Sequence, residues 1–272
     1  MAGSETQSVN TTRLQGQVVI VTGGTQGLGE AVAKRAAAEG AADIMLCGRN
    51  RARGEAVAAA IREESATAVT EVYGDLADPA YCAEIIATCR KEFGRVDGLV
   101  NAAGHNVPGT IDDTSVELWD MMFAVNARAP FLLTQGAVGL MKERGNPGSI
   151  VNVLSIAIAG GMPTLTPYAS SKGALATLTR NVACSEKHHR IRCNGIVLGW
   201  TDTPGETEFQ RLEGKNDADN WQADAAAELP FGRLITPQDV AALTAFLLSG
   251  ESGVMTGALI EYDQLVLGTF DI

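Results

Sequence analysis

Gln17-Val18-Val19-Ile20-Val21-Thr22-Gly23-Gly24-Thr25-Gln26-Gly27-Leu28-Gly29 is the stretch that decides the fold. Its first six residues are dominated by β-branched side chains, the pattern of a parallel strand buried on both faces. The glycines follow at once. Glu30 to Glu39, alanine-rich and amphipathic, then reads as a helix closed by Gly40. A strand, a glycine turn and a helix in this order suit a dinucleotide-binding unit. The glycines let the backbone turn tightly and approach a pyrophosphate, and the helix N-terminus offers free N–H groups and a positive dipole end. The spacing Gly-x-x-x-Gly-x-Gly is one residue longer between the first glycines than the usual fingerprint. A purely structural tight turn is the competing reading.

The alternation continues outward from this unit. Strand patterns fall at Asp43–Cys47, Thr67–Tyr73, Val96–Val100, Ser149–Leu154, Arg190–Leu198 and, after a turn, within Val254–Tyr262. Helical patterns fall between them at Arg51–Glu64, Pro79–Phe93, Ser115–Glu143 (one long helix interrupted near Pro130), Tyr168–His188 and Pro237–Leu248. Short connections between alternating elements predict an α/β single-domain Rossmann fold: a doubly wound, parallel seven-stranded sheet with helices on both faces. The domain is expected over residues 14–272, after a flexible N-terminal tail at 1–13. Gly205 to Pro230 breaks the pattern. It is polar and acidic, carries Trp221, and follows the sixth strand on the side where such sheets bind ligands. It is expected to be a substrate lid.

The end of the second strand is where a dinucleotide fold reads the ribose. An acid there favours NAD; an arginine accommodates the 2′-phosphate of NADP. Gly48 and Arg49 stand at that point with no acid, so NADP(H) is the preferred cofactor and NAD(H) the alternative. Arg51 and Arg53 are read as a solvated helix face. Asp75, before Leu76, either accepts from an adenine amino group or shapes the turn into the next helix. Asn101-Ala102-Ala103-Gly104 closes the fourth strand with small residues that a flat ring can approach. Asn126 lies inside an apolar helical stretch, a poor place for a side chain that competes for backbone hydrogen bonds. It is either a satisfied core asparagine or the mark of a local distortion, because Pro130 disturbs the carbonyl four residues earlier.

Ser155 to Lys172 carries the chemistry. A helix starting at Pro167 places Tyr168 and Lys172 four apart on one face. A phenol titrates near pH ~10, and a close cation lowers that value. A drop of about three units requires roughly 4 kcal/mol, within reach of a partly buried ion pair. Such a pair serves as an acid/base unit, and Ser155, ending a strand, would face it across a loop. The competing reading is a surface tyrosine with a chance neighbour.

The bulk numbers narrow the function classes. A chain of 272 residues, 46% hydrophobic, holds a sizeable core. A net charge of −11 disfavours nucleic acid and anionic membranes. No apolar run reaches the ~18 residues of a membrane span. Met1 to Thr12 lacks the features of a secretory signal. The five cysteines, without CxxC spacing, imply a reducing, cytoplasmic setting and buried thiols. The three histidines show no metal-site pattern, so no metal is expected.

The ordered set Thr22-Gly23-Gly24-Thr25-Gln26-Gly27-Leu28-Gly29, Asp75-Leu76, Asn101-Ala102-Ala103-Gly104, Asn126, Ser155 and Tyr168-Ala169-Ser170-Ser171-Lys172 resembles the short-chain dehydrogenase/reductase family. The thirteen-residue step from Ser155 to Tyr168 suits it, and the resemblance runs from about Gln17 to Asp263. It implies that Tyr168 is the acid/base and that Lys172 lowers its pKa and holds the nicotinamide ribose. Ser155 would position the substrate oxygen, and Asn126 would anchor a proton-relay water. The same resemblance implies that Gly199-Trp200-Thr201-Asp202-Thr203-Pro204 holds the carboxamide, with Thr203 the side-chain contact and Gly199 and Thr201 beside it. It further implies a homotetramer. The chain departs from the family at Leu198, where proline is frequent, at Gln26, where NADP-selective members often carry a base, and at Gln264-Leu265, where Gly-Gly is frequent.

The expected activity is hydride transfer between a nicotinamide and the carbinol or carbonyl carbon of a small, polar secondary alcohol or ketone, sugar- or polyol-like. Two other readings compete. A 3-oxoacyl thioester reductase would require a basic patch for an acidic carrier. A nucleotide-sensing regulator would have no need of Ser155, Tyr168 and Lys172 together.

Overall fold

The computed structural model describes residues 12–213 and 220–266. Strands β1 (Val18–Thr22), β2 (Asp43–Gly48), β3 (Ala68–Tyr73), β4 (Gly98–Asn101), β5 (Gly148–Ser155), β6 (Ile191–Leu198) and β7 (Leu259–Tyr262) form one sheet. All pairs are parallel, in the order β3-β2-β1-β4-β5-β6-β7. The helices are α1 (Gly27–Ala38), α2 (Arg51–Glu64), α3 (Pro79–Phe93), α4 (Val116–Phe123), α5 (Ala129–Arg144), α6 (Thr166–Glu186), α7 (Pro204–Glu213), α8 (Trp221–Glu228) and α9 (Pro237–Leu248).

β1 shows why its sequence is an unbroken apolar run. Val19 and Val21 pack into a layer with Val32 and Ala36 of α1, Val57 and Ile61 of α2, and Val240 and Leu247 of α9. Val18 and Ile20 point the other way, into a layer with Ile85 and Cys89 of α3 and Leu133 and Leu140 of α5. Side chains alternate along a strand, so a strand covered on both faces is apolar at every position. β1 is fully buried and pairs with β2 on one edge and β4 on the other. The chain reverses its winding there, and the carboxyl ends of β1 and β4 open the crevice in which such sheets take ligands.

Several boundaries differ from expectation for identifiable reasons. The single helix expected over Ser115–Glu143 is two helices joined by a π-helical turn at Ala124–Arg128. Pro130 has no N–H for the Asn126 carbonyl. The ladder there widens, and the Ala129 N–H bonds Ala124 O, five residues back. The break therefore sits on Asn126 rather than at the proline. At the N-terminus, Arg13 belongs to the domain rather than to the tail: its Nε donates to Glu39 Oε2 at 2.7 Å, and Leu14 is fully buried. The rest of the expected tail, residues 1–11, lies outside the described residues. Cys47, Cys82, Cys89 and Cys193 are buried, but Cys184 is exposed on α6, against the expectation for all five.

The segment expected as a lid holds two helices, α7 and α8; residues 214–219 between them lie outside the described residues. Trp221 is its anchor. The ring is fully buried with Ala225, Leu229 and Leu234, stacks on Trp200 with centroids 6.1 Å apart, and donates from Nε1 to Thr207 Oγ1 at 3.2 Å. An aromatic inside a polar run thus marks a small core of its own. Among the described residues, no helix is long and apolar enough to cross a membrane.

Candidate functional site

The cleft at the sheet's carboxyl edge has a volume of about 2370 Å³ and runs from the glycine turn and Arg49 to Ser155, Tyr168 and α7. Pockets for single small ligands span ~300–1,000 Å³, so this one has room for a dinucleotide and a substrate.

The glycine turn forms one wall. Gly23 has φ +67°, and a Cβ there would lie 2.9 Å from Ala103 Cα. A Cβ at Gly29 would lie 2.3 Å from Gly23 O. Both glycines are required by close backbone approach, which brings the start of α1 against the end of β1. Gly27, at φ +56°, faces Pro204 and Thr203 at 3.5 and 3.7 Å from where its Cβ would stand. The 199–204 segment therefore arches over the turn. Gly23, Thr25, Gln26, Gly27, Leu28, Gly29, Arg49, Asp75, Leu76, Ala102, Gly104, Gly199, Thr201 and Thr203 all line the cleft.

Asn101 and Ala103 do not line it. Asn101 is buried and donates to Asn152 Oδ1 at 2.8 Å, a bond between β4 and β5. Thr22 Oγ1 accepts from Ala102 N and Ala103 N at 3.1 and 3.2 Å, so this hydroxyl on β1 sets the course of the small-residue segment. Thr203 Oγ1 accepts from Glu206 N at 3.1 Å, and Thr201 Oγ1 donates to Gly199 O at 2.9 Å. Asp75 Oδ1 accepts from Ala77 N at 2.9 Å, the turn-shaping role, while the residue also faces the cleft.

The other wall is the chemical one. α6 begins at Thr166, one residue before the expected start, and places Tyr168 and Lys172 on the face toward β5. Ser155 ends β5; its Oγ accepts from Ala157 N at 3.2 Å, and its hydroxyl is near enough to Tyr168 to favour the phenolate. The Lys172 ammonium is buried, donates to Val153 O at 2.8 Å and lies 5.8 Å from the Tyr168 ring centroid. Asn126 is fully buried and locked: Nδ2 donates to His105 O at 2.9 Å and to Ser171 Oγ at 3.0 Å, and Oδ1 accepts from His105 N at 2.8 Å. A Cβ at Gly104 would lie 3.8 Å from Lys172 Nζ and 3.9 Å from Asn126 Oδ1, so both polar groups converge on one glycine.

The electrostatics differ from the expectation of a tyrosine acidified by lysine. Burial pushes the Tyr168 phenol up to about 12; the Ser155 hydroxyl opposes this and the Glu206 carboxylate adds to it. Burial also pulls the Lys172 ammonium down to about 8. Desolvation of each group outweighs their attraction in this state, and at neutral pH the phenol is held in its acid form.

Lys172 makes a stability prediction. Its folded pKa lies below its ordinary 10.5, so between pH 8 and 10.5 the unfolded chain holds the extra proton. Stability contributed by this group is present above that window and is lost as pH falls through it. Wild type is therefore expected to gain on the order of 3 kcal/mol relative to Lys172→Met between pH 8 and 10.5. Urea unfolding of both proteins across that range checks it; a pH-independent difference would refute it.

Sequence reasoning missed several groups at the cleft. Glu206 on α7 accepts from Trp200 Nε1 at 2.9 Å and from Gln210 Nε2 at 2.8 Å, and its carboxylate raises the Tyr168 pKa. Asn106 lies on the cleft wall next to His105, its Oδ1 buried without a protein partner. Arg53, read as a solvated face, lines the cleft and donates to Gln26 Oε1. No spacing rule flags an acid on α7, a loop asparagine or a helical arginine that reaches across a crevice.

A family model described as enoyl-(acyl carrier protein) reductase matches residues 23–264. The 2-(S)-hydroxypropyl-CoM dehydrogenase 3 of Xanthobacter autotrophicus is 34% identical over 92% of this chain and 96% of its own length. The chain belongs to the short-chain dehydrogenase/reductase family of oxidoreductases. Among other members, the NADP-dependent (R)-specific alcohol dehydrogenase of Lentilactobacillus kefiri is 34% identical over 93% of this chain and 97% of that one. The L-sorbose reductase of Gluconobacter frateurii, solved with NADPH and L-sorbose, superposes with a TM-score of 0.88 at 29% identity, covering 95% of this chain and 99% of the other.

Proposed function

We propose that this chain is an NADP(H)-preferring reductase and dehydrogenase that interconverts a small, polar ketone and its secondary alcohol. The observation that carries the reading is the meeting of Ser155, Tyr168 and Lys172 on the same cleft as the glycine turn. Bound there, the nicotinamide would supply or take the hydride. The chain supports its binding in three ways: backbone cradles at Gly23 and Gly29, the small residue Gly104 beside Lys172, and Arg49 at the end of β2.

The remaining steps belong to side chains. Ser155 and Tyr168 line the same cleft, so a substrate oxygen placed against both would meet two hydroxyl groups. In reduction, the Tyr168 phenol gives its proton to that oxygen as the carbonyl becomes an alcohol; in oxidation the phenolate takes it back. Lys172 sits behind the phenol as the buried cation that holds the ribose hydroxyls and replenishes the proton. Asn126, clasped by His105 and Ser171 beside a π-helical turn, is placed to anchor a water on the way to Lys172.

A polar substrate is favoured by the polar side chains Gln210 and Glu206 of α7, which line the cleft. The similarity to an L-sorbose reductase and to an (R)-specific alcohol dehydrogenase supports the same class. A screen of ketoses, polyols and simple ketones with NADPH and NADH, followed by absorbance of the reduced cofactor, is expected to show turnover on hydroxylated ketones with NADPH. Tight NADPH binding without turnover on any of them would overturn the catalytic reading.

A further inference from the structure

α7 brings an acid to the reacting end of the cleft and holds it there. Glu206 sits in the first turn of that helix, and its backbone N–H donates to Thr203 Oγ1 at 3.1 Å. Its Oε1 accepts from Trp200 Nε1 at 2.9 Å and from Gln210 Nε2 at 2.8 Å. Both neighbours are donors, which suits an ionised carboxylate, a group that only accepts. Both are themselves held: Gln210 is buried one turn further along α7, and Trp200 stacks on the fully buried Trp221. Trp200, Glu206 and Gln210 line the cleft together with Tyr168. The Glu206 charge reaches the phenol oxygen, because it adds to the rise of the Tyr168 pKa. Among the described residues, the cations that line the cleft stand elsewhere or are engaged. Arg49 and Arg53 lie at the end of β2 and the first turn of α2. Lys172 donates to Val153 O at 2.8 Å, and Arg211 pairs with Glu208 at 3.5 Å. Asp263, against Gly199, is a further acid on the cleft wall.

We infer that Glu206 selects the substrate by charge: it admits ketones that are neutral or carry an ammonium group beside the reacting carbon, and it turns away those that carry a carboxylate or phosphate there. This rests on the ketone-reductase reading of the cleft. A carboxylate that disfavours negative charge on the Tyr168 oxygen also disfavours it on whatever lies against that oxygen, and the substrate carbonyl lies there in the reaction. The repulsion is stronger in a partly buried cleft than in water, since less solvent screens it. Like charges brought together in this way reject a wrong ligand more than they reward a right one. A substrate hydroxyl or ammonium can instead donate toward the carboxylate, and the ammonium gains a charge-assisted bond.

Matched ketones that differ in charge test this. Acetoacetate and acetoacetamide have nearly the same shape and differ by one negative charge. Aminoacetone and hydroxyacetone have nearly the same shape and differ by one positive charge. The kcat/KM of each with NADPH is measured at neutral pH in wild type, Glu206→Gln and Glu206→Asp. Wild type is expected to favour acetoacetamide over acetoacetate by at least about tenfold, and aminoacetone over hydroxyacetone by about threefold or more. Glu206→Gln keeps the size and an acceptor oxygen but not the charge. It should shrink the first ratio by about tenfold and abolish the second preference. Glu206→Asp should keep both preferences even where its kcat falls, which a merely structural role for the side chain does not predict. Added salt should compress the wild-type ratios and leave those of Glu206→Gln nearly unchanged. Equal ratios in wild type and Glu206→Gln, or a wild type that prefers acetoacetate, would overturn the charge selection and leave the reductase reading standing. Wild type that binds NADPH and reduces none of the four ketones would overturn both.

Discussion

Tyr168→Phe is expected to bind NADPH like wild type and to lose turnover by roughly a thousandfold or more, the upper part of what a positioned general acid supplies. The phenyl ring keeps the shape of the cleft and the packing of α6, and only the proton donor disappears. Ser155 keeps its bond to Ala157 N, so its place in the loop does not depend on the phenol. The same residue fixes the sign of the pH dependence. With the free phenol pushed up to about 12, ketone reduction has its acid ready throughout the neutral range, whereas alcohol oxidation needs the phenolate and should climb with pH. Steady-state rates in both directions, with binding measured separately, check this. A Phe variant within about tenfold of wild type would end the assignment of Tyr168 as the acid.

Gly29→Ala is expected to damage both stability and cofactor binding. The added methyl would stand 2.3 Å from Gly23 O, 2.5 Å from Gly23 C and 2.9 Å from Gly24 N. All three are backbone atoms of the turn, so no side chain can swing aside. Relief requires α1 to move off β1, opening the layer that Val32 and Ala33 make with Val19 and Val21. Overpacking of this kind costs ~1–3 kcal/mol, and more where backbone must shift. The variant should unfold at lower urea and bind NADPH and NADH more weakly by similar factors, at least about tenfold, since the pyrophosphate cradle serves both. A wild-type midpoint together with unchanged affinities would show that the turn has slack that its packing denies.

The alternating elements were legible because the inner strands are covered on both faces. β1, β5 and β6 read as apolar runs, and the glycines after β1 mark a turn that only they can make. The break in the long helix was legible near Pro130 and at the disturbed Asn126 carbonyl; its form as a π-helical turn was not, because that depends on how the ladder pairs again. The Tyr168–Lys172 pair was visible as helical spacing, and Ser155 as the end of a strand. Their electrostatics were not visible: spacing gives the distance between two groups but not how dry they are, and here burial raises the Tyr168 pKa against the expected direction and lowers that of Lys172. Asn101 illustrates the reverse case. It stood among cofactor candidates by its place after a strand, yet its side chain is spent on Asn152 in the sheet.

Local sequence thus determined the order of elements, the glycine turn and the pairing of Tyr168 with Lys172 on one helix face, because these depend on residue type and short-range spacing. The tertiary structure alone decided which distant side chains share the cleft. Arg53 reaches Gln26 across 27 residues of chain, Glu206 acts on Tyr168 from α7, and Asn126 is clasped by His105 and Ser171. Such contacts are set by how helices seat on the sheet, and a linear pattern carries no direct record of that seating.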